Sequence, residues 1–230
     1  MAFQPIVDLT TQNVFAYEAL VRGVDGQGAG EVLSSVTAGN RYRFDQLCRV
    51  KAIELAGRHM PGSTARLSIN FLPNAVYEPR ACIRASLNAA HDVGFDPTRL
   101  MFEFTENEQV MDTAHLENIV RSYNRMGFTT ALDDFGAGFA GLSLLSKFQT
   151  DVIKIDMEIT RDIDTSRAKQ AIVKGILDIA GALSIKVIAE GIETSDEVRT
   201  LQAAGVNLFQ GYYFAKPERE TFRTAFPMMR

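Results

Sequence analysis

The sequence contains few of the residues that bind zinc or form disulfides. Only two cysteines, Cys48 and Cys82, occur in 230 residues, and both lie in segments predicted to be helical. We expect reduced, structural thiols, with a disulfide between them as the alternative. The three histidines, His59, His91 and His115, fall in predicted helices or loops rather than at strand ends. This placement argues against zinc, for which imidazole and thiolate are the usual ligands.

The sequence also lacks a signal-peptide pattern and an uninterrupted apolar run of membrane-spanning length. The opening MAFQPIVDL contains Asp8 and has no basic region before an apolar run. Four charged side chains interrupt the longest apolar stretch, residues 171–192: Lys174, Asp178, Lys186 and Glu190. We therefore expect no membrane segment in this chain and a cytoplasmic location.

An excess of positive charge is missing as well. Lys and Arg total 24 against 28 Asp and Glu, which gives a net charge of −4. This balance provides no general attraction for long nucleic acids, so any phosphate ligand must be held by local groups. The hydrophobic content of 46% and the chain length suit one α/β barrel, and we expect residues 1–230 to form a single domain.

Short β-rich runs alternate with helical patterns, which predicts a parallel sheet with helices between its strands. Strands are predicted at Val14–Val21, Ala65–Phe71, Leu100–Thr105, Thr129–Asp134, Val152–Asp156, Lys186–Ala189 and Leu208–Phe214. Helices include Phe44–Met60, Ala81–Val93 and Arg167–Leu183. In the last helix, the spacing of Ile172, Ile176, Ile179 and Leu183 predicts one apolar face that packs against the barrel wall.

The N-terminal segment predicts a β-hairpin, because FQPIVDL and VFAYEALVR flank the turn-rich TTQN. Its second arm begins the barrel, so one barrel strand near the N-terminus is expected to run antiparallel. The glycine-rich GVDGQGAG at residues 23–30 is interpreted as a mobile loop rather than a phosphate cradle, since no GK[ST] follows it.

Acidic residues recur at or near the ends of the predicted strands. They are Glu18, Glu103, Glu106, Asp133, Asp134, Asp156, Glu190 and Glu193. The C-terminal strand ends of a (β/α)₈ barrel converge on one mouth, so these acids are expected to be neighbours. Clustered carboxylates repel one another and require cations. The acids and Asn70 are oxygen donors, which favours Mg²⁺ or Mn²⁺ over zinc.

Four side chains suit phosphoryl chemistry at this mouth. The adjacent Asp133 and Asp134 can bridge two ions about 4 Å apart. Lys154 precedes Asp156 by two residues and so points to the same side of its strand. A structural salt bridge is the alternative role for Lys154. Arg22 can grip a phosphate with two hydrogen bonds, although taken alone it would be an ordinary surface residue.

Seven strings occur in order along the chain: EALVR at 18–22, SIN at 68–70, FEFTE at 102–106, LDDFGAG at 132–138, VIKID at 152–156, IAEGIET at 188–194 and QGYYF at 210–214. Together they resemble the EAL family of cyclic di-GMP phosphodiesterases over nearly the whole chain. The resemblance implies a modified TIM (β/α)₈ barrel. It also implies hydrolysis of cyclic di-GMP to linear 5'-pGpG with two Mg²⁺ or Mn²⁺ ions in each active site.

The resemblance assigns roles to individual residues. The implied metal ligands are Glu18, Asn70, Glu103, Asp133, Asp134, Asp156 and Glu190, with Asp133 bridging the ions. The implied catalytic residues are Lys154, Glu190, Glu18 and Asp133, with Lys154 stabilising water or phosphate and Glu190 as the candidate general base. The implied substrate contacts are Gln4, Leu20, Arg22, Asp45, Gln210 and Pro217. Glu106 and Glu193 are expected to stabilise a loop of the site.

One segment departs from the family pattern. DDFGAGFAGLSLL replaces the more usual DDFGTGYSSLSYL, which removes hydroxyl groups at Ala137, Phe139, Ala140 and Gly141. In the family, this loop links metal binding to dimerisation. The resemblance implies a homodimer that pairs the helices following Asp134 and Asp156.

Two other functions compete with this reading. A non-enzymatic receptor would bind cyclic di-GMP and signal by contact. A barrel aldolase would use Lys154 as a Schiff base, which the surrounding acids oppose by keeping that lysine protonated. The sequence contains no sensor segment and no GGDEF-type synthase, so partner domains of these kinds would belong to a larger parent protein.

Overall fold

The computed structural model describes residues 1–60, 62–105, 113–138 and 141–227, and its centre is a closed barrel of eight strands. The strands are β1 Ala2–Asp8, β2 Asn13–Leu20, β3 Arg66–Asn70, β4 Leu100–Thr105, β5 Thr129–Phe135, β6 Val152–Ile155, β7 Lys186–Ala189 and β8 Leu208–Phe209. Strands β2 to β8 follow one another in parallel, and β1 closes the barrel between β8 and β2. A short strand, β9 Glu218–Arg219, pairs with the start of β1.

Helices fill the connections between the parallel strands, as the alternating sequence pattern predicted. They are α1 Ala29–Ser34, α2 Arg41–His59, α3 Pro79–Cys82, α4 Arg84–Asp92, α5 Thr113–Arg125, α6 Gly141–Leu145, α7 Met157–Thr160, α8 Arg167–Leu183 and α9 Ser195–Ala204. The modified TIM-barrel architecture is therefore confirmed. Across the described ranges, no helix is long and apolar enough to cross a membrane.

The predicted N-terminal hairpin is present and gives the barrel its antiparallel strand. Strand β1 runs antiparallel to both of its barrel neighbours, β2 and β8. Asp8 Oδ1 closes the turn by accepting hydrogen bonds from the backbone N–H of Thr10 at 2.8 Å and of Thr11 at 3.3 Å. An Asp side chain stabilises a turn in this way because it supplies an acceptor that the turning backbone lacks.

Most predicted element bounds hold to within a few residues, with two exceptions. The predicted helix 81–93 is two helices, α3 and α4, and α3 begins earlier because Glu78 caps the backbone N–H groups of Arg80 and Ala81. The predicted strand 208–214 ends at Phe209. After it the chain turns tightly against the segment following β7, where a Cβ at Gly211 would lie 2.1 Å from Ile192 O. Pairing cannot continue through such a turn.

The predicted packing face of helix α8 is correct at Ile176 and wrong at Ile172, Ile179 and Leu183. Val173, Ile176 and Ala180 are the buried residues of α8, whereas Ile172 is 50% and Leu183 40% exposed. The predicted residues and the buried residues both follow helical spacing. The smaller Val173 and Ala180 side chains allow the helix to approach the barrel more closely. The larger apolar side chains therefore form an exposed stripe on the outside of the molecule, which also includes Ile179.

The barrel interior is built in layers of opposite polarity. A lower apolar layer contains Ile6, Ala16, Met101, Ala131, Val152, Ile188 and Leu208. Side chains two residues apart on a strand face the same side, so the next layer toward the C-terminal mouth is fixed by the sequence. Its members are Gln4, Glu18, Glu103, Asp133, Lys154, Glu190 and Gln210. Every one of them is polar, which places the charged groups together at the mouth.

Candidate active site

Lys154 occupies the centre of the polar layer and is fully buried. Its Nζ lies 2.8 Å from Glu190 Oε1, 2.9 Å from Glu103 Oε2, 3.0 Å from Asp133 Oδ1 and 3.5 Å from Glu18 Oε2. These four acids come from four different strands or strand ends, β2, β4, β5 and β7. One ammonium therefore faces four carboxyl groups, and the layer has more acid than its own cation can neutralise.

This imbalance changes the protonation of the cluster. Burial raises the pKa of Glu103 to about 8 and, with Asp133 beside it, raises the pKa of Glu190 well above its usual range. Burial alone would lower the pKa of Lys154, but the surrounding carboxylates raise it well above its usual value. Lys154 thus stays charged, while part of the acid cluster retains protons unless another cation neutralises it.

Asp133 and Asp134 both reach the mouth although neighbouring strand residues normally face opposite sides. The pairing of β5 with β6 shifts register between Leu132 and Phe135. Asp134 has φ of +54°, a left-handed conformation that Asp tolerates better than most residues. Burial, followed by the charge of Asp133, raises the pKa of Asp134 to about 6. The irregularity turns two adjacent carboxylates toward one site.

The donor set fits divalent cations. One oxygen each from Glu18, Glu103 and Asp133 lie within 4.8 Å of one another, and the same holds for Asp133, Asp134 and Glu190. Asp133 belongs to both groups. Glu103 Oε1 is buried and accepts no hydrogen bond from the described residues. An orphaned carboxylate oxygen beside other acids is what a hard, oxygen-preferring cation requires.

The two remaining predicted ligands lie at the edge of this cluster. Asn70 Nδ2 donates to Glu18 Oε1 at 2.8 Å, so its amide is in place beside the first group. Asp156 caps helix α7 by accepting the backbone N–H of Glu158 at 2.7 Å. It also lines the same cavity as Asp133 and Asp134.

A cavity of about 330 Å³ opens above the acids, and it collects some of the predicted substrate contacts. Gln4, Leu20 and Gln210 line it. Gln210 Nε2 donates to Glu18 Oε2 at 2.6 Å and to Gln4 Oε1 at 3.2 Å, which ties these groups into one network. Leu20 also borders a second, more apolar cavity of about 470 Å³.

Three other predicted substrate contacts, Arg22, Asp45 and Pro217, do not line the acidic cavity. Arg22 and Pro217 are not among the residues that line the acidic cavity, and Arg22 Nη1 donates to Val21 O at 2.7 Å. Asp45 borders the apolar cavity, but its carboxylate already pairs with Arg49 and accepts the N–H of Leu72 at 3.0 Å. Glu106, Phe139 and Ala140 lie outside the described residues.

Comparison with known proteins identifies the family. The family model described as the EAL domain matches residues 1–217. The chain belongs to this family. Its signature triplet is Glu18-Ala19-Leu20 at the end of β2, and the first of these residues contacts Lys154.

Solved EAL structures share the whole architecture. A standalone EAL protein from Vibrio cholerae O395, described as a c-di-GMP-bound form, is 52% identical, with a TM-score of 0.92 over 96% of this chain and 92% of that chain. The BlrP1 protein of Klebsiella pneumoniae, in a manganese and cyclic di-GMP complex at pH 6, is 36% identical with a TM-score of 0.90. That match covers 97% of this chain and 56% of that chain.

Curated EAL relatives are longer proteins. The blue light- and temperature-regulated antirepressor BluF of Escherichia coli K12 is 34% identical over 94% of this chain and 53% of its own length. The cyclic di-GMP phosphodiesterase PA2567 of Pseudomonas aeruginosa is 30% identical over 94% of this chain and 38% of its own length. The chain thus spans about half, or less, of the curated relatives it matches.

The EAL cavity also contains residues that sequence reasoning missed. Arg161, Met157, Gly191 and Tyr212 line it. Arg161 makes two bonds to Glu193, with Nη1–Oε2 at 2.7 Å and Nη2–Oε1 at 2.8 Å. Its position five residues after Asp156 follows no periodic pattern. The only available signal was an unassigned arginine between two predicted site segments.

Proposed function

We propose that this EAL domain hydrolyses cyclic di-GMP to linear 5'-pGpG. The observation that carries the proposal is the surplus of carboxylates around Lys154, which converts into a phosphodiester-binding site when divalent cations neutralise it. The apolar cavity, which shares the lining residue Leu20 with the acidic one, suits a flat nucleobase. The named activity of PA2567 and the ligand of the Vibrio cholerae structure support the same substrate.

The proposal includes two Mg²⁺ or Mn²⁺ ions. Glu18, Asn70, Glu103 and Asp133 would hold the first ion, and Asp133, Asp134, Asp156 and Glu190 the second. When bound, such a pair of ions activates water and neutralises the charge that develops on a phosphodiester. The BlrP1 complexes with manganese and with calcium, each together with cyclic di-GMP, support a divalent-ion site in this fold.

The protein's own groups then position the reaction. Lys154, held by four acids, keeps its charge and places an ammonium where negative charge develops on the phosphate. Glu190, 2.8 Å from that ammonium, would accept the proton of the attacking water. Gln210, already fixed by Glu18 and Gln4, would orient the water or the substrate.

Substrate contacts outside the cluster are proposed at Gln4, Leu20, Arg22, Asp45 and Pro217. Arg22 would hold the phosphate that is not cleaved, which requires it to leave Val21 O and turn toward the cavity. We expect Arg22→Ala to raise KM more than it lowers kcat. Glu106 and Glu193 would stabilise the loops that frame the site.

A contact-signalling receptor is the second candidate. The name of BluF, an antirepressor, favours it, since that relative is described by regulation rather than by hydrolysis. The two candidates differ in one measurable property. A receptor binds cyclic di-GMP without consuming it, whereas the proposed enzyme releases 5'-pGpG.

The deciding experiment is an assay of cyclic di-GMP hydrolysis without metal and with Mg²⁺, Mn²⁺ or Ca²⁺. We expect turnover with Mg²⁺ or Mn²⁺ and none with Ca²⁺, whose contacts are longer and more numerous. Glu18→Ala and Asp133→Ala should abolish turnover. Full activity in a chelator, or in either variant, would disprove the site assignment, and binding without turnover under every metal would favour the receptor.

We also propose a homodimer of single EAL domains formed through α6 and α8. The support is the apolar side chains exposed there: Leu142, Ile172, Ile179 and Leu183. Light scattering of the wild type and of an Ile172→Glu variant tests the dimer, which the variant should dissociate. We further propose that sensor or GGDEF domains accompany this domain in a parent protein. The proposed location is cytoplasmic.

A further inference from the structure

Two loop segments carry ligands of the proposed second ion and pack directly against each other. The first runs from Asp156 through α7 to Asp162, and the second runs from Glu190 to Glu197 at the start of α9. A Cβ on Gly191, whose φ is +67°, would lie 2.3 Å from Met157 Cβ. The contact between the segments is thus close enough that the second segment needs glycine at that position.

Polar bonds fasten the same two segments along their length. The Thr160 hydroxyl donates to Glu190 O. The buried Glu197 accepts the backbone N–H of Asp162 at 3.0 Å and, on its other oxygen, the N–H of Glu193 at 2.8 Å. Burial opposes the charge of Glu197, but these backbone donors hold its pKa below the usual value. The base of the contact is therefore fixed by backbone geometry.

The outer part of the contact depends on side chains alone. Arg161 pairs with Glu193 through both of its terminal nitrogens, at 2.7 and 2.8 Å. A planar guanidinium bound to both carboxylate oxygens fixes orientation as well as distance, which a single bond cannot do. Arg161 is one-quarter exposed and lies on the cavity wall beside Asp134 and Asp156.

We infer that Arg161 is a positioning residue, which holds the Glu190 segment against the Asp156 segment through Glu193 and so sets the spacing of the second divalent ion's ligands. Arg161 does not touch the reacting atoms in this role. Groups that orient metal ligands commonly change metal affinity or activity by about 10- to 100-fold when removed. The inference rests on the proposed phosphodiesterase function for its kinetic consequences, but not for its effect on metal binding.

The test compares Arg161→Ala, Glu193→Ala and the double variant with the wild type. Arg121→Ala is the matched control, because Arg121 pairs with Glu117 at 2.6 Å on the surface of α5, away from the site. Three quantities are measured on the full chain: Mn²⁺ affinity by titration calorimetry, and both kcat and KM for cyclic di-GMP at saturating Mn²⁺. Circular dichroism confirms that each variant is folded.

We expect both single variants to weaken Mn²⁺ binding about 10-fold and to lower kcat by a similar factor, with KM changed less than about 2-fold. The double variant should be no worse than either single one, since both residues serve one contact. Arg161→Lys, which keeps the charge but not the planar fork, should recover only part of the loss. Arg121→Ala should match the wild type.

Three results would overturn the inference. A raised KM with unchanged kcat and Mn²⁺ affinity would make Arg161 a substrate contact instead. A lower melting temperature with wild-type kinetics and Mn²⁺ affinity would reduce the pair to a structural salt bridge. Additive losses in the double variant would show that the residues act separately. If the wild type fails to hydrolyse cyclic di-GMP, the proposed function fails, while the calorimetric comparison still tests the positioning role.

Discussion

Among the residues that the structure describes, two cations, Arg49 and Lys154, are completely buried, and their surroundings differ in charge. Arg49, in α2, faces one carboxylate, Asp45, and receives further support from the Tyr123 hydroxyl at 3.1 Å. Its guanidinium also lies 5.5 Å from the ring centre of Phe71 and 5.8 Å from that of Phe102. Charge is matched one to one, and aromatic faces occupy the remaining surface.

Lys154 faces four acids instead, at 2.8 to 3.5 Å. A matched buried pair needs no further charge, although Arg49 Nε has no hydrogen-bond partner among the described residues. An unmatched cluster remains costly until a ligand supplies the missing charge, and such clusters concentrate at functional sites. The ratio of charges, more than burial, thus separates the matched Arg49 pair from the Lys154 cluster that we propose to be catalytic.

Breaking the matched pair should produce the largest effect on stability. We expect Arg49→Ala to lower the free energy of unfolding by about 3–5 kcal/mol, because it leaves Asp45 charged and unpaired in the core. Urea denaturation without metal measures this change. The double variant Asp45→Leu/Arg49→Met should recover most of the loss. If the double variant is no better than Arg49→Ala, the pair contributes through packing rather than charge matching.

Breaking the unmatched cluster should affect turnover. We expect Lys154→Ala to lower kcat roughly 10²-fold, equivalent to about 2.7 kcal/mol, because one preorganised charge is lost from the transition state. The effect on KM should be smaller. Lys174→Ala, which removes an exposed lysine on α8, is the control. Equal losses in kcat and in substrate affinity for Lys154→Ala would contradict the role assigned to its ammonium.

The sequence allowed the Lys154 cluster to be predicted, but not the Arg49 cluster. Strand alternation alone places Glu103, Asp133 and Lys154 two residues above the apolar layer, so a correct barrel prediction implies their convergence. The i,i+4 pair of Asp45 and Arg49 looks like any surface helix pair, because its burial depends on Tyr123, 74 residues further along the chain.

Contacts between distant segments also explain the two features of the fold that differ from the sequence predictions. The tight turn after Phe209 depends on the neighbouring Ile192 backbone, and the orientation of α8 depends on how closely Val173 and Ala180 can approach the barrel. Contacts between segments distant in the chain decide both features. Local periodicity cannot choose between two apolar stripes of one helix.

Supplying the missing charge as a divalent cation should stabilise the folded protein by a smaller amount. A fixed Mn²⁺ concentration of ten times the wild-type dissociation constant should raise the free energy of unfolding of the wild type by about 1.4 kcal/mol, because Mn²⁺ binds the folded state. Arg49→Ala should retain this increment, since its cluster needs no metal. Glu103→Gln should lose most of it. Urea denaturation with and without Mn²⁺ gives the values, and an unchanged increment in Glu103→Gln would exclude Glu103 as a ligand.

The smallest expected effect is a pH dependence of the metal-free protein. Burial and Asp133 raise the pKa of Asp134 to about 6 in the folded state, against about 3.9 for an unfolded Asp. Between these values the folded protein binds more protons than the unfolded chain, so the contribution of Asp134 to stability falls as pH rises from about 4 to 6. The charged groups that face Asp134 are the acids Asp133, Asp156, Glu18 and Glu190 and the cation Lys154.

Asp134→Asn isolates this contribution, because the amide keeps the shape of the side chain and does not titrate. In urea denaturation with a chelator at pH 4, 5, 6 and 7, the wild type should lose more stability than the variant across the range. The difference between the two curves should level off above about pH 6. Parallel curves would mean that Asp134 is no more crowded by negative charge than a surface acid. Mn²⁺ should reduce the difference between the curves, since a bound cation favours the ionised carboxylate at every pH. The acid surplus around Lys154 would then be measurable as a proton equilibrium.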